Sequence, residues 1–242
     1  MAKLVTRNGT SEHRVVGRDA WTAARKDLLA LEKQHTRLTD ALSAKRRSLP
    51  WVLVDKPYVF DGPQGRQTLP QLFAGRHQLI IWHFMFGPAW KEGCSHCSFW
   101  ADSFNANAIH LRHRDATMIA VSQAPLKKIL PFKKRMGWTF PWVSAARTDF
   151  NFDYHASARP EELKAAKVSY NYRTIEPFSD QMHGVSVFYK DPKGAVYHTY
   201  STYARGVDIL NTAYQYLDLT PKGRDEVDAD SSWVRHHDKY RG

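Results

Sequence analysis

The chain has 242 residues, 43% hydrophobic and 13% aromatic, with two cysteines and a formal net charge of +11. That length buries a full core without disulfide staples, so neither a disordered chain nor a disulfide framework is expected. The charge is dispersed: residues 1–47 hold eleven Lys/Arg against five Asp/Glu, and residues 222–242 hold five of each. No basic run is interleaved with aromatics as a nucleic-acid groove requires, so nucleic acid is not an expected partner.

The first residues, Met1-Ala2-Lys3-Leu4-Val5-Thr6-Arg7, are too polar for a secretory signal, and no apolar run approaches a membrane span. The expected location is the cytoplasm. Residues 1–18 lack periodicity and are expected to run over the surface. From Asp19, apolar or small residues recur at Trp21, Ala24, Leu28, Leu31, His35, Leu38 and Leu42 in steps of three and four, predicting a long amphipathic helix that ends near Pro50. Such a helix either lies across its own domain or packs on a second subunit as the arm of a homodimer.

Trp51-Val52-Leu53-Val54 and Tyr58-Val59-Phe60 read as short strands, followed by a turn over Asp61–Gly65 and a helical turn near Thr68–Phe73. Gln78 to Phe86 is apolar on both faces apart from His83, as in a central strand covered on both sides. Gly87-Pro88 breaks it, and a helix is expected from about Ser95 to Arg114. Ala116–Ser122 reads as a second buried strand and Ala124–Met136 as a Lys-rich helix. This strand–helix alternation argues for parallel strands.

Trp138–Ser144 carries a proline that cannot donate to a ladder, which predicts an edge strand or extended connection. Residues 145–183 show little periodicity and read as a long aromatic loop able to cover a site. Val185–Tyr189 and Val196–Tyr200 form a hairpin across Asp191-Pro192-Lys193-Gly194, Val207–Leu217 a last helix, and the polar tail from Thr220 is expected to be loosely held.

Both cysteines, Cys94 and Cys97, fall in one Cys-Ser-His-Cys motif after the buried strand and at a helix start. A thiol attacks as thiolate, and the unpaired N–H groups and dipole of a helix N-terminus favour the anion. Cys94 is therefore the expected nucleophile and Cys97, one turn on, the thiol that resolves the intermediate. His96 lies between them, where an imidazolium would favour the thiolate further; Lys91 would add to this and Glu92 oppose it. The other chemical reading is a Cu(I) or Zn(II) site built from Cys94, Cys97 and a histidine brought in by the fold, with His83, His96 and His198, and also His110 and His113, as the candidates. Trp90, in the loop, is a candidate wall of a substrate groove.

The string from Trp82 to Asn105, the segment Phe132–Ser144, Gly184–Phe188 and Tyr197–Gly206 resemble the DUF899 family, which is grouped with thioredoxin-like proteins. The resemblance runs from about Trp21 to Arg224. It implies an α/β fold, a thioredoxin-like mixed sheet flanked by helices with the dithiol at the start of its first helix, and a dithiol–disulfide oxidoreductase or peroxiredoxin-like activity. The corresponding organisation is an N-terminal extension over 1–49 with the long helix, a thioredoxin-like domain over 50–220 and a polar tail over 221–242.

Where thioredoxins place a cis-proline that docks the substrate chain, this chain has His183-Gly184, the expected substrate contact. Its loop from Pro88 to Gly93 is also longer. Both departures count against protein substrates and leave a small-molecule disulfide or peroxide. The cycle would need an external thiol reductant and no bound cofactor. The alternatives are the copper or zinc protein described above and a non-catalytic interaction module using the N-terminal arm.

Overall fold

The computed structural model describes residues 14–226 and 231–241. Helix α1 spans Arg18–Arg47, followed by strands β1 (Val52–Leu53), β2 (Val59–Gly62) and β3 (Gly65–Thr68), and the short helix α2 (Leu69–Leu72). Strand β4 (Gln78–His83), helix α3 (Ser95–His113), strand β5 (Ala116–Ser122), helix α4 (Leu126–Arg135) and strand β6 (Trp142–Ser144) come next. Helices α5 (Phe150–Asp153) and α6 (Pro160–Ala165) precede strands β7 (Val168–Tyr170), β8 (Arg173–Ile175), β9 (Gly184–Lys190) and β10 (Val196–Tyr203). A 3-10 segment over Ala204–Leu210 and helix α7 (Thr212–Leu217) follow, with a last 3-10 turn at His237–Lys239.

Eight strands form one mixed sheet in the order β1-β10-β9-β4-β5-β6-β2-β3. β4, β5 and β6 run parallel, while β9 lies antiparallel to β4 and β10 antiparallel to β9. A β–α–β unit followed by a β–β–α unit, with strand order β10-β9-β4-β5, is the thioredoxin-like arrangement.

Alternation along β4 divides the core. Ile80 and Trp82 pack with residues of α3, α4 and α7, whereas Leu79 and Ile81 pack with residues of α2 and α5. Every residue of β5 is buried, as a parallel strand covered on both faces must be.

Four expectations are corrected. Residues 142–144 form an internal strand: Pro141 lies just before it and contributes only its carbonyl, which accepts from Ala120 N–H at 2.9 Å. Residues 145–183 hold two short helices and the β7–β8 hairpin in place of an open loop. The helix expected over 207–217 is interrupted at Asn211, whose side chain accepts from Tyr214 N–H and caps α7. The tail is docked: Val234 and His236 are buried.

The strand read as reaching Phe86 ends at His83, and Asp61–Gly65 turns between β2 and β3. Residues 1–13 of the expected irregular start lie outside the described residues. Helix α1 forms as expected but buries none of its residues.

Candidate functional site

After β4 the backbone runs through the buried residues Phe84, Met85 and Phe86 and then loops over Gly87–Gly93. The loop is tied from α4 by Lys128 Nζ, which donates to the carbonyls of Pro88 (2.6 Å) and Trp90 (3.0 Å). Its exit fits only a glycine: a Cβ on Gly93 would meet the rings of Phe132 and Phe84, both at 2.7 Å. The chain then turns into α3 with Cys94 as its N-cap residue.

Cys94 N–H donates to the Met85 carbonyl at 3.0 Å, and Met85 N–H donates to Cys97 Sγ at 3.4 Å. Cys97 N–H donates to Cys94 Sγ at 3.5 Å, so the first thiol takes up one of the orphan donors of the helix start. Both cysteines are free thiols; Cys94 is partly exposed and Cys97 buried.

The two thiols are driven apart electrostatically. Hydrogen bonding from the Cys97 thiol holds Cys94 well below the usual thiol range, helped by His96 and the Cys97 N–H and opposed by burial. Cys97 is pushed well above that range by burial and by the Cys94 sulfur. His96 is raised by its hydrogen bond to Cys94, by that group's charge, by the Ser231 backbone and by Glu226. Its Nε2 donates to the Ser231 carbonyl at 3.2 Å and lies 2.8 Å from Ser231 Oγ. The charge balance therefore favours a thiolate–imidazolium pair.

Glu92, two residues before Cys94, was expected to oppose the anion. Lys239 and Arg135 hold it ionised, with its pKa lowered to about 2, and the same two cations balance its charge.

The dithiol opens on a cavity of about 810 Å³. Cys94, His96, Cys97 and His183 line it with Trp82 and Trp100, and Phe178, Arg205, Asp208 and Arg224 reach it from other segments. Arg224 ion-pairs with Asp208 (3.1 Å) and Asp218 (2.8 Å). His183 is held neutral by burial, which lowers its pKa.

Of the expected site residues, Cys94, His96, Cys97 and His183 are brought together. Trp90 is not: its indole donates to Asp180 Oδ1 at 3.1 Å and does not line the cavity. Gly184 is buried in β9, and a Cβ there would strike the Tyr203 ring, so its smallness serves packing. His83 faces the other side of the sheet from Trp82. Its ring bonds to Ser186 Oγ at 2.8 Å, lies 3.4 Å from Asn151 Oδ1, and stacks on Phe150 and Tyr154. His198 bonds to Ser201 Oγ at 2.7 Å on that same side. The ligand set Cys94, Cys97, His83, His96 and His198 is thus not assembled. Among the described residues no three of His, Cys, Asp and Glu are grouped to hold a metal ion.

Sequence reasoning missed Ser231 and His236. Both come from the segment after Thr220, where single polar residues carry no periodic signal.

Fold and site together define a thioredoxin-fold protein with a Cys-x-x-Cys dithiol at the N-terminus of its first core helix. The chain belongs to the family described as bacterial protein of unknown function (DUF899), which matches residues 10–240. No curated protein matches it. Among solved structures it is similar to the bacterioferritin comigratory protein of Xanthomonas campestris, studied for alkyl peroxide reduction, at 16% identity and a TM-score of 0.44, covering 70% of this chain and 98% of that one. It is also similar to peroxidoxin BcpB from Mycobacterium tuberculosis, at 13% identity and a TM-score of 0.44 over 69% of this chain and 97% of that one. Likeness at this level assigns no residue and no substrate. Among the described residues no helix is long and apolar enough to cross a membrane.

Proposed function

We propose that the chain is a thiol–disulfide oxidoreductase acting on a disulfide or peroxide. Cys94 attacks as the thiolate, Cys97 attacks the resulting intermediate and closes a Cys94–Cys97 disulfide, and an external thiol reductant restores the dithiol. The observation that carries this reading is the opposite displacement of two adjacent thiols at one cavity wall: the accessible sulfur is favoured as an anion and the buried one is kept protonated. Electrons enter and leave through sulfur, so the cycle needs no bound cofactor.

The pH dependence tests it. Reactivity requires the Cys94 thiolate, so it persists below the ordinary thiol range and is lost only as pH falls through the depressed Cys94 pKa. It declines again as pH rises through the raised His96 pKa, where the imidazolium that can protonate a leaving group disappears. His96→Gln removes that cation. The acid limb, followed by thiolate absorbance and alkylation rate, should then move up toward the ordinary thiol range, with the rate at mildly acid pH falling roughly tenfold. An acid limb in the same place in His96→Gln would remove His96 from the site.

We further infer a homodimer through the N-terminal helix, supported by the exposure of its apolar stripe. Leu31 and Leu38 are 60% and 59% exposed, and Trp21, Leu28 and Leu42 are also open. The Arg46 guanidinium, 5.6 Å from the Tyr200 ring, is a contact of α1 with the body. A helix in water draws most of its stability from packing an apolar face, and among the described residues none covers this one enough to bury any residue of the helix. Light scattering should give a dimer mass for the wild type and a monomer mass for Leu31→Lys/Leu38→Lys; a monomeric wild type sinks the inference.

A further inference from the structure

Although the chain as a whole carries a formal charge of +11, the cavity in front of its dithiol is not basic. Besides the Cys94–His96 pair, its charged lining is two guanidinium groups, Arg205 and Arg224, and three carboxylates, Asp208, Asp218 and Glu226. Four of these pair with one another: Arg205 meets Asp208 at 3.3 Å, and Arg224 meets Asp208 at 3.1 Å and Asp218 at 2.8 Å. Glu226 stands apart. Among the described residues its bonds come only from neutral donors, the Tyr214 hydroxyl at 2.9 Å and the Trp233 indole at 2.7 Å, and both fall on Oε1. These donors fix the carboxylate in place without cancelling its charge.

Glu226 also lies close to the chemistry. Its charge helps to raise His96, and Ser231, five residues further on, places its Oγ 2.8 Å from His96 Nε2. The imidazolium itself is matched by the Cys94 thiolate, so Glu226 is the charge on the cavity wall with no counterion of its own. A cleft lined by an excess of one sign of charge, with low-dielectric walls such as Trp82, Trp100 and Tyr214, concentrates ligands of the other sign. A substrate that brings a cation gains there, and one that brings a carboxylate loses.

We propose that the cavity selects small disulfides that carry a primary ammonium group near the sulfur, with Glu226 as the specificity-determining residue that receives the ammonium. The proposal rests on the dithiol reading above. The Cys94 thiolate attacks one sulfur of the substrate, the S–S bond breaks, and the first aminothiol leaves by taking the His96 proton. Cys94 is then held in a mixed disulfide. Cys97 attacks the Cys94 sulfur, the second aminothiol leaves with the proton that Cys97 gives up, and the Cys94–Cys97 disulfide forms. Two equivalents of external thiol reduce that bond and are themselves oxidised to a disulfide.

The test compares oxidation of the reduced full-length protein by three disulfides of similar size: cystamine, 2-hydroxyethyl disulfide and dithiodiglycolate, which are cationic, neutral and anionic. Each rate constant is divided by that of the free 2-mercaptoethanol thiolate with the same disulfide, which removes their intrinsic difference in reactivity. So corrected, cystamine is expected to react about tenfold faster than the neutral disulfide, and dithiodiglycolate slower than either. Glu226→Gln keeps an oxygen that accepts from Tyr214 and Trp233, so the wall is preserved while its charge is removed. It should lower the ratio of cystamine to 2-hydroxyethyl disulfide roughly fivefold. Any effect of Glu226 on His96, and through it on the thiolate, cancels in that ratio because Cys94 attacks both substrates. No preference for cystamine, a preference for dithiodiglycolate, or a cystamine preference that Glu226→Gln leaves intact overturns the substrate assignment and leaves the dithiol reading standing. A Cys94 inert toward all three disulfides overturns the dithiol reading itself.

Discussion

Cys94→Ser is expected to abolish reduction of disulfides and peroxides, by about a thousandfold or more, because a hydroxyl at this position cannot supply the anion that attacks. Cys97→Ser should behave differently. Its first encounter with oxidant still proceeds, but turnover stops at a Cys94 sulfenic acid or mixed disulfide that intact-mass measurement detects. That first encounter should keep much of its wild-type rate, since a hydroxyl at position 97 can still donate the hydrogen bond that is the largest influence holding Cys94 anionic. Cys97→Ala carries an additional penalty. It leaves the buried Met85 N–H, which donates to Cys97 Sγ, without an acceptor, at a cost of about 1–3 kcal/mol. Full turnover in Cys97→Ser would move the resolving role outside the chain, and a Cys94→Ser protein that keeps its full effect in cells would favour a non-catalytic module.

The dithiol half of this site is legible because its determinants are local. An apolar run, a Gly-Pro break and two cysteines one helical turn apart locate a strand to within three residues of its end, a loop and a helix start without reference to distant residues. The sheet core is legible for the same reason: β4 and β5 are continuous apolar runs, and the β9–β10 hairpin announces its own turn. Reading Pro141 as an edge marker failed because proline lacks only the donor; its carbonyl still joins the ladder through Ala120.

His83 was readable as an interruption in a strand but not as to its face, since that depends on which neighbours the alternation gives it. Trp82 and His83 point oppositely, and the helix above Trp82 decides which of them meets the thiols. The closing wall of the site was invisible. Glu92–Lys239, Gly93–His236 and His96–Ser231 each join positions far apart in sequence, through single polar residues whose significance exists only once they touch.

That closing wall is expected to be indispensable, and His236→Ala is the substitution that shows it. The ring is buried, lies edge-on to Phe132 at 5.3 Å, and its Nε2 donates to the Gly93 carbonyl at 2.8 Å. Gly93 cannot move to find another donor, because Phe84 and Phe132 crowd its Cα. The substitution therefore leaves an unpaired buried carbonyl and a cavity, together about 2–4 kcal/mol of stability. For a chain of this size that lowers the thermal midpoint by roughly 5–15 °C. The effect should reach the thiols as well. Gly93 directly precedes the N-cap sulfur, and the same C-terminal segment carries Ser231 to His96 and Lys239 to Glu92. With the segment loosened, Glu92 keeps only Arg135 as partner and His96 loses its anchor, so both changes raise the Cys94 pKa. Ser231→Ala is the control: it removes the Oγ contact to His96 but keeps the Ser231 carbonyl that raises the His96 pKa, so thiol titration and thermal stability should both stay close to wild type. A His236→Ala protein with wild-type melting and wild-type thiol titration would show that the C-terminal segment only rests on the site.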